Sequence, residues 1–248
     1  MITELIDRPH LSPLRYPAQA IITNFIALSG VGCSGKTAAG NALVEAGFPR
    51  MPETMRLWMD GVKAIGIDIK SLKNSDLTAF RRDLFEVAQS IVEQQALLDP
   101  TQSMIFNRPG IDALVFMKVD GIDYSRELAR MKAGPQFKAI CLFEPLPFVE
   151  DGTRVNDPFL QERQIKAFKE IITQLGYSKE QVIAVESHNE SGDSISREDR
   201  NRFILSELAS RGCVTVVDPI FWTGSEVQIR LLERKMEVRD EEARERLE

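Results

Sequence analysis

Short apolar segments alternate with longer segments of mixed polarity along most of the chain. The first apolar segment, residues 20–29 (AIITNFIALS), is rich in Ile and Ala and stops at a glycine cluster, which is typical of a strand buried on both faces. The same pattern predicts further strands at residues 48–51, 103–106, 137–143 and 182–185. Whether residues 214–217 form a sixth strand is left open.

Good helix formers, N-cap candidates and glycine stops mark helices between these strands. Residues 36–46 end just before Gly47, and residues 76–98 begin at a candidate N-cap, Asp76. Similar signals predict helices at residues 124–132, 158–175 and 198–210, whereas residues 61–75 are predicted to form a loop. Because parallel strands need crossover connections, this alternation predicts an α/β fold: a doubly wound parallel sheet of five or six strands with helices on both faces.

The two ends of the chain differ from the segment between them. Residues 1–19 carry three prolines and no apolar centre, so we interpret them as an extended lead-in. Residues 20–224 form the predicted domain. Residues 225–248 are highly charged with a thin apolar stripe, which predicts a helix. That helix either lies solvated on the domain or serves self-association or partner binding.

Composition narrows the functional classes. The 248 residues include 37 acidic and 31 basic side chains, a net charge of −6, which makes nucleic acid an unlikely partner. No apolar segment approaches the ~20 residues that a membrane-spanning helix needs. The three cysteines, Cys33, Cys141 and Cys213, are far apart, which is typical of reduced thiols in a cytoplasmic protein.

The glycine cluster after the first strand has the sequence G-V-G-C-S-G-K-T, which matches the phosphate-binding loop pattern G-x-x-x-x-G-K-[ST] between a strand and a helix. Backbone N–H groups of such a loop, together with the helix N-terminus, cradle phosphates. Lys36 is expected to reach the β- and γ-phosphates, and the Thr37 hydroxyl to coordinate Mg²⁺. The nucleotide-binding residues are therefore predicted to be Gly30, Gly32, Cys33, Ser34, Gly35, Lys36 and Thr37.

The loop pattern does not choose between kinases, ATPases and GTPases. The guanine-specific sequence N-K-x-D is missing from the chain, which favours ATP and leaves GTP open. Glu53, just after the second predicted strand, is a candidate base for an attacking hydroxyl or water, or a group acting on Mg²⁺ through a water molecule. An ordinary acid at a helix N-terminus is an equal interpretation.

Four segments of the chain are similar to segments of one known protein family. They are S-G-V-G-C-S-G-K-T, F-P-R-M-P-E-T-M-R, I-F-N-R-P-G-I-D-A-L, and F-E-P-L-P-F-V-E-D-G-T-R followed by S-R-E-D-R-N-R-F-I-L. Through them the chain resembles the AAA_28 family, the NadR–TTD14-like group of P-loop ATPases and kinases, over residues 20–212. The resemblance implies a kinase-type P-loop domain in which strand 103–106 lies beside the strand entering the loop, with Asn107 and Arg108 facing the phosphates.

The family has D-R-G where this chain has Asn107-Arg108-Pro109, so an uncharged amide replaces the acid expected near Mg²⁺. The resemblance implies that Arg108 binds substrate or phosphate, and a structural ion pair is the competing interpretation.

Residues 144–158 are rich in proline and acids and are interpreted as a lid, in which Arg154 would contribute positive charge on closure. Arg197, Arg200 and Arg202 open the next helix, where either surface pairing or a nearby anion would compensate them.

These observations predict Mg²⁺-dependent binding of a nucleoside triphosphate, ATP rather than GTP, with phosphoryl transfer to an unidentified small-molecule acceptor or hydrolysis. The residues expected to carry the reaction are Lys36, Glu53, Arg108 and Arg154. The alternative is a nucleotide-gated switch or binding protein with little turnover.

Overall fold

The computed structural model describes residues 21–146, 158–189 and 191–213. Five strands and eight α-helices lie in these ranges, with a 3₁₀ turn at Lys179–Gln181. The strands are β1 Ile26–Gly30, β2 Arg50–Met51, β3 Ile105–Asn107, β4 Ala139–Phe143 and β5 Val182–Val185. The helices are α1 Lys36–Glu45, α2 Thr54–Ala64, α3 Ile69–Ser75, α4 Leu77–Leu98, α5 Gly110–Val119, α6 Ser125–Ala133, α7 Pro158–Leu175 and α8 Arg197–Ser210.

The five strands form one parallel sheet in the order β2-β3-β1-β4-β5. β1 lies in the centre, where Ala27 pairs with Phe106 of β3 on one side and Ile140 of β4 on the other. All five residues of β1 are buried, as its unbroken apolar sequence predicted. The expectation that strand 103–106 lies beside β1 is confirmed.

Apolar side chains pack on both faces of the sheet, which confirms the doubly wound α/β arrangement. One cluster joins β1, through Ala27, to helices α4, α5 and α7, and includes Phe85, Leu114 and Phe168. The cluster on the opposite face joins Leu28 of β1 to helices α1 and α8. The alternating side-chain directions of a strand place neighbouring residues Ala27 and Leu28 on opposite faces.

The prediction of a loop over residues 61–75 is wrong. α2 continues to Ala64, and α3 follows at Ile69–Ser75, where the Asp68 side chain accepts a hydrogen bond from the Ser71 N–H at 2.8 Å. Gly61 lies inside α2, where nothing lies within 4 Å of the place where a Cβ would stand, and a single glycine costs a helix only about 1 kcal/mol relative to alanine. The Asp68 cap then starts a new helix from a short, polar sequence.

Other differences concern element ends and two helices, α2 and α5, for which the sequence predicted no bounds. β1 begins at Ile26 rather than at residue 20, and the preceding residues make isolated contacts, such as Asn24 N–H to Pro100 O at 2.8 Å. α5 escaped prediction because its sequence, GIDALVFMKV, is apolar on all sides and has no amphipathic period. The Asp76 cap of α4 is confirmed by its hydrogen bond from the Ala79 N–H.

Four predictions lie outside the described residues: the lead-in 1–19, the sixth strand 214–217, the lid residue Arg154, and the helix 225–248. Among the helices that the structure describes, none is both long enough and apolar enough to cross a lipid bilayer.

Candidate functional site

Three residues of the loop between β1 and α1 have left-handed backbone conformations. Gly30 has φ 141° and Gly35 has φ 84°, and between them Cys33 has φ 57°. A Cβ on Gly30 would lie 2.5 Å from the carbonyl oxygen of Phe143 in β4, so both the backbone angle and the space require glycine. Gly32, in contrast, has open space around its Cα. Two of the three loop glycines are therefore required by the path of the chain.

Lys36 is the first residue of α1, and its side chain reaches across the loop. Its Nζ donates hydrogen bonds to Gly30 O at 2.8 Å, Val31 O at 2.5 Å and Ser34 Oγ at 2.8 Å. Only 5% of the residue is exposed, so the charge is taken up by oxygen atoms of the loop. Thr37 follows in the first turn of α1 and is exposed. The loop thus presents a cation at its centre and a hydroxyl at its rim.

Glu53 lies between the end of β2, which pairs with β3, and the start of α2. Its Oε1 is 3.4 Å from Arg108 Nε, and its Oε2 accepts a hydrogen bond from Asn107 Nδ2 at 3.3 Å. Arg108 also approaches the loop, with Nη1 at 3.5 Å from Gly30 O. The parallel pairing of β3 with β1 produces this arrangement, because parallel strands end at the same edge of a sheet. Three candidates that are far apart in sequence, Glu53, Arg108 and the loop, are therefore neighbours.

Arg108 is shared between two acids. Besides Glu53, it pairs with Asp112, whose Oδ1 lies 3.2 Å from Arg108 Nη1. Arg108 has φ 52°, an uncommon conformation for a residue with a side chain, immediately before Pro109 and the start of α5. Asp112 follows Arg108 by four residues and lies about one helical turn further along α5, so its side chain can contact that of Arg108. Both the binding role and the ion-pair role considered for Arg108 remain compatible with this geometry.

Asp112 is the acid that sequence reasoning missed. It is fully buried, and its Oδ2 makes no hydrogen bond to any described residue. Burial raises the pKa of Asp112, and the positive charges of Arg108 and Lys36 oppose this effect. A lone acid in the apolar segment GIDALVF, four residues after an arginine, was the signal that could have found it.

The three arginines near the start of α8 differ in burial, and the first of them, Arg197, is exposed. Arg202 is half exposed and pairs with Asp199, Nη1 to Oδ1 at 2.9 Å, which is the surface pairing considered for this segment. Arg200 is instead 7% exposed, and its Nη2 donates to the Ser34 carbonyl at 2.9 Å. The last helix of the described chain thus brings a third cation to the loop, in addition to Lys36 and Arg108.

A parallel sheet of order 2-3-1-4-5 whose central strand runs into a G-x-x-x-x-G-K-T loop defines a P-loop fold of the kinase-like kind. The sequence model of the AAA_28 family, described as an AAA domain, matches residues 25–190. The chain therefore belongs to the AAA_28 family, as its sequence motifs suggested.

Solved structures with similar folds include kinases. The NadR protein in complex with NR aligns with a TM-score of 0.54 and 14% identity, covering 81% of this chain and 54% of NadR, so the chain spans about half the length of that protein. Deoxyadenosine kinase from M. mycoides, solved with dCMP and dCDP, aligns with a TM-score of 0.50 and 15% identity, covering 75% of this chain and 99% of the kinase. No curated protein sequence matches the chain. At these identities the likenesses show the fold.

Proposed function

We propose that this protein binds Mg²⁺-ATP and transfers the γ-phosphoryl group to a hydroxyl of a small-molecule acceptor. The observation that carries the proposal is the position of Glu53, whose two carboxylate oxygens contact Arg108 and Asn107 beside the phosphate-binding loop. A carboxylate held next to bound phosphates is suited to accept the proton of an attacking hydroxyl. A loop that served binding alone would not require it.

Nucleotide binding in this proposal rests on the loop and on Lys36. The Nζ group now bonds to three loop oxygens, which are neutral acceptors. The oxygens of a polyphosphate are charged acceptors and form stronger bonds with an ammonium group. We therefore expect Lys36 to exchange loop contacts for phosphate contacts when nucleotide binds. The N–H groups of residues 30–37 would supply the remaining donors.

The oxygen donors near the loop fit a magnesium ion better than a transition metal. Asn107 Oδ1 is buried without a hydrogen-bond partner among the described residues, and it lies at the same edge as the Glu53 carboxylate. Hydroxyl, amide and carboxylate oxygens are hard ligands of the kind that Mg²⁺ prefers, and it keeps several waters. Among the described residues, no group of three or more His, Cys, Asp or Glu side chains is placed to hold a metal ion by itself.

In this proposal Thr37 would hold the metal directly, with Asn107 and Glu53 acting through waters. The chemistry that a bound Mg²⁺ supplies is neutralisation of the phosphate charge.

The proposed reaction is an in-line displacement. The acceptor oxygen forms a bond to the γ-phosphorus while the bond from that phosphorus to the bridging oxygen breaks, and ADP leaves with the electron pair. The acceptor proton passes to Glu53. Arg108 would bind oxygens of the transferring group, for which its planar fork is suited. Arg154 would add a second cation from the segment proposed as a lid.

A switch with little turnover, using ATP or GTP, is the second candidate. Asn107 favours it, since an amide supplies no charge at the position where the family has an acid, and a neutral group supports catalysis less. In that case the segment 225–248 would engage a partner. Truncation of the chain after Thr223 distinguishes the two candidates. A kinase would keep its turnover, whereas a switch that binds its partner through residues 225–248 would no longer form the complex with that partner.

Calorimetric titration of Mg²⁺-ATP and Mg²⁺-GTP into the wild type and Lys36→Ala tests binding. Lys63→Ala is the matched control, because Lys63 is exposed on α2 and pairs with Asp60 at 3.8 Å. We expect Lys36→Ala to lose at least about tenfold in affinity and Lys63→Ala to match the wild type. Equal ATP binding by Lys36→Ala and wild type would refute the proposed site.

Turnover is tested with a panel of nucleosides and cofactors as acceptors, following phosphorylated product and phosphate release. Nucleosides come first because deoxyadenosine kinase is among the proteins of similar fold. We expect Glu53→Gln to retain ATP binding while the rate falls about 10²- to 10⁴-fold, the usual contribution of a general base. Tight Lys36-dependent binding without any acceptor-stimulated turnover would instead support the switch.

A further inference from the structure

The side chain of Arg200 lies against the outer side of the phosphate-binding loop. Its Nη2 donates a hydrogen bond to the Ser34 carbonyl at 2.9 Å, and its Nη1 is 3.2 Å from the place where a Cβ on Gly35 would stand. The guanidinium carbon lies 5.7 Å from the ring centre of Phe143, at the end of β4. Arg200 therefore fills the space between the loop and the neighbouring strand.

Among the described residues, the charge of Arg200 is poorly compensated. Its Nη2 bonds to a neutral carbonyl oxygen, no carboxylate of these residues forms an ion pair with it, and its Nε is buried without a hydrogen-bond partner among them. Burial lowers the pKa of the Arg200 guanidinium, and the more distant Glu144 opposes this effect. A buried cation with so few partners is costly, and a neutral side chain of similar size would fill the same space at lower cost.

The hydrogen bond to Ser34 fixes the orientation of one loop peptide. The described chain contains no cis peptide bonds, so the Ser34 C=O and the Gly35 N–H point in opposite directions across one planar unit. Because the Ser34 carbonyl points to the Arg200 guanidinium, the Gly35 N–H is directed away from that guanidinium, to the opposite side of the peptide. Gly35 is the last residue before α1, where phosphate-binding loops present N–H donors to the β-phosphate.

We propose that Arg200 is a positioning residue for the polyphosphate: it orients and polarises the Ser34–Gly35 peptide so that the Gly35 N–H binds phosphate. A cation bonded to the carbonyl strengthens the N–H donor of the same peptide, as in other chains of hydrogen bonds. The buried charge also raises the electrostatic potential at the loop, so the cost of burying it is offset when a polyanion binds. This inference rests on the nucleotide binding proposed above.

The test is titration of Mg²⁺-ADP into the wild type, Arg200→Met, Arg200→Lys and Arg202→Met. We expect Arg200→Met to bind roughly 10- to 100-fold more weakly, the effect of losing a charged hydrogen bond. Arg200→Lys keeps the charge and a donor and should recover most of the affinity. Arg202→Met, on the same helix but at the surface, should bind as the wild type does.

Two further measurements separate positioning from a purely structural role. The first is the melting temperature of each variant without nucleotide, and the second is the ¹⁵N chemical shift of the Gly35 amide, which reports hydrogen bonding at the Ser34 carbonyl. We expect that shift to move in Arg200→Met and to stay near the wild-type value in Arg200→Lys. A lowered melting temperature with unchanged ADP affinity would overturn the inference.

The outcomes also distinguish this inference from the proposed function. If the wild type binds no Mg²⁺-ADP, or Lys36→Ala binds it equally well, the proposed function fails. If binding depends on Lys36 but Arg200→Met matches the wild type, the inference alone fails. Should Arg200→Met not fold, Arg200→Gln replaces it, because Gln keeps polarity without charge and the same affinity loss is expected.

Discussion

The Arg108 guanidinium lies 3.2 Å from the carboxylate of Asp112, which is fully buried. The same guanidinium is 3.4 Å from Glu53 on its other side. The buried acid thus orients an arginine whose second contact is the proposed base. Because Asp112 is part of a rigid, apolar helix, Arg108 is held in position by the fold before any ligand arrives.

Replacing Asp112 with Asn should change how stability depends on pH. The folded-state pKa of Asp112 is raised above its ordinary value of 3.8, so the folded protein holds this proton more tightly than the unfolded chain does. The contribution of Asp112 to the free energy of unfolding is therefore fully present below its ordinary pKa. It is lost as the pH rises through the folded-state pKa. We therefore expect the wild type to lose stability relative to Asp112→Asn as the pH rises. Urea unfolding of both proteins at a series of pH values upward from the ordinary pKa of 3.8 measures this, following the linkage relation. A difference that stays constant over that range would contradict the prediction.

Replacing Gly30 with Ala should strongly destabilise the fold. The added Cβ would stand 2.5 Å from the Phe143 carbonyl oxygen, in a backbone conformation of φ 141°. We expect a loss of at least about 2 kcal/mol in the free energy of unfolding, since strain and a backbone clash add. Gly61→Ala is the control, because Gly61 lies inside α2 with open space around it. It should gain about 0.5–1 kcal/mol. Similar effects in the two variants would show that the contact between the loop and β4 is not tight.

Features that depend on a local sequence pattern could be predicted from the sequence alone. The loop motif, the buried β1 and the Asp76 cap each rest on a few neighbouring residues whose chemistry has one favoured structure. The resemblance to the AAA_28 family added what local pattern could not supply, the pairing of β3 with β1, which brings Glu53 and Arg108 to the loop.

The features that escaped prediction depend on tertiary contacts. Asp112 is an ordinary first-turn acid by sequence, and its burial follows from the packing of α5 between other elements. Arg200 is separated from Ser34 by 166 residues, and nothing in its sequence neighbourhood distinguishes it from Arg202, which is at the surface. α5 itself was missed because a helix buried on all sides has no amphipathic period.

Alkylation should select Cys33 among the three cysteines. Cys33 is half-buried in the phosphate-binding loop, whereas Cys141 and Cys213 are buried. Burial raises the pKa of Cys213 to about 11 and raises that of Cys141 as well, so few thiolates form at either site near neutral pH. We expect one modified cysteine by mass spectrometry, loss of nucleotide binding, and slower modification when Mg²⁺-ADP is present. Cys33→Ser should bind nucleotide and resist the reagent. Equal labelling with and without ADP would place Cys33 outside the nucleotide site.

Replacing Asn107 with Asp should make stability depend on Mg²⁺. Asn107 Nδ2 now donates to Glu53 Oε2 at 3.3 Å, and an Asp at this position would put two carboxylates side by side. Without metal we expect a loss of about 1–3 kcal/mol in the free energy of unfolding, because like charges disfavour ionisation of both acids. A divalent cation between them removes the repulsion, so millimolar Mg²⁺ should restore much of the loss and stabilise the variant more than the wild type.

Asn41→Asp is the matched control for the Asn107 variant. Asn41 accepts a hydrogen bond from Arg50 Nη1 at 2.7 Å, so the new carboxylate would face a cation and have no need of a metal. Urea unfolding with and without Mg²⁺ compares the three proteins. If Mg²⁺ stabilises Asn107→Asp no more than it stabilises Asn41→Asp, the edge of the sheet beside Glu53 is not a metal site. If Mg²⁺ does stabilise Asn107→Asp more and acceptor-dependent turnover also rises, the amide at Asn107 limits the rate of the natural protein, because the added carboxylate strengthens the binding of Mg²⁺ beside the phosphates.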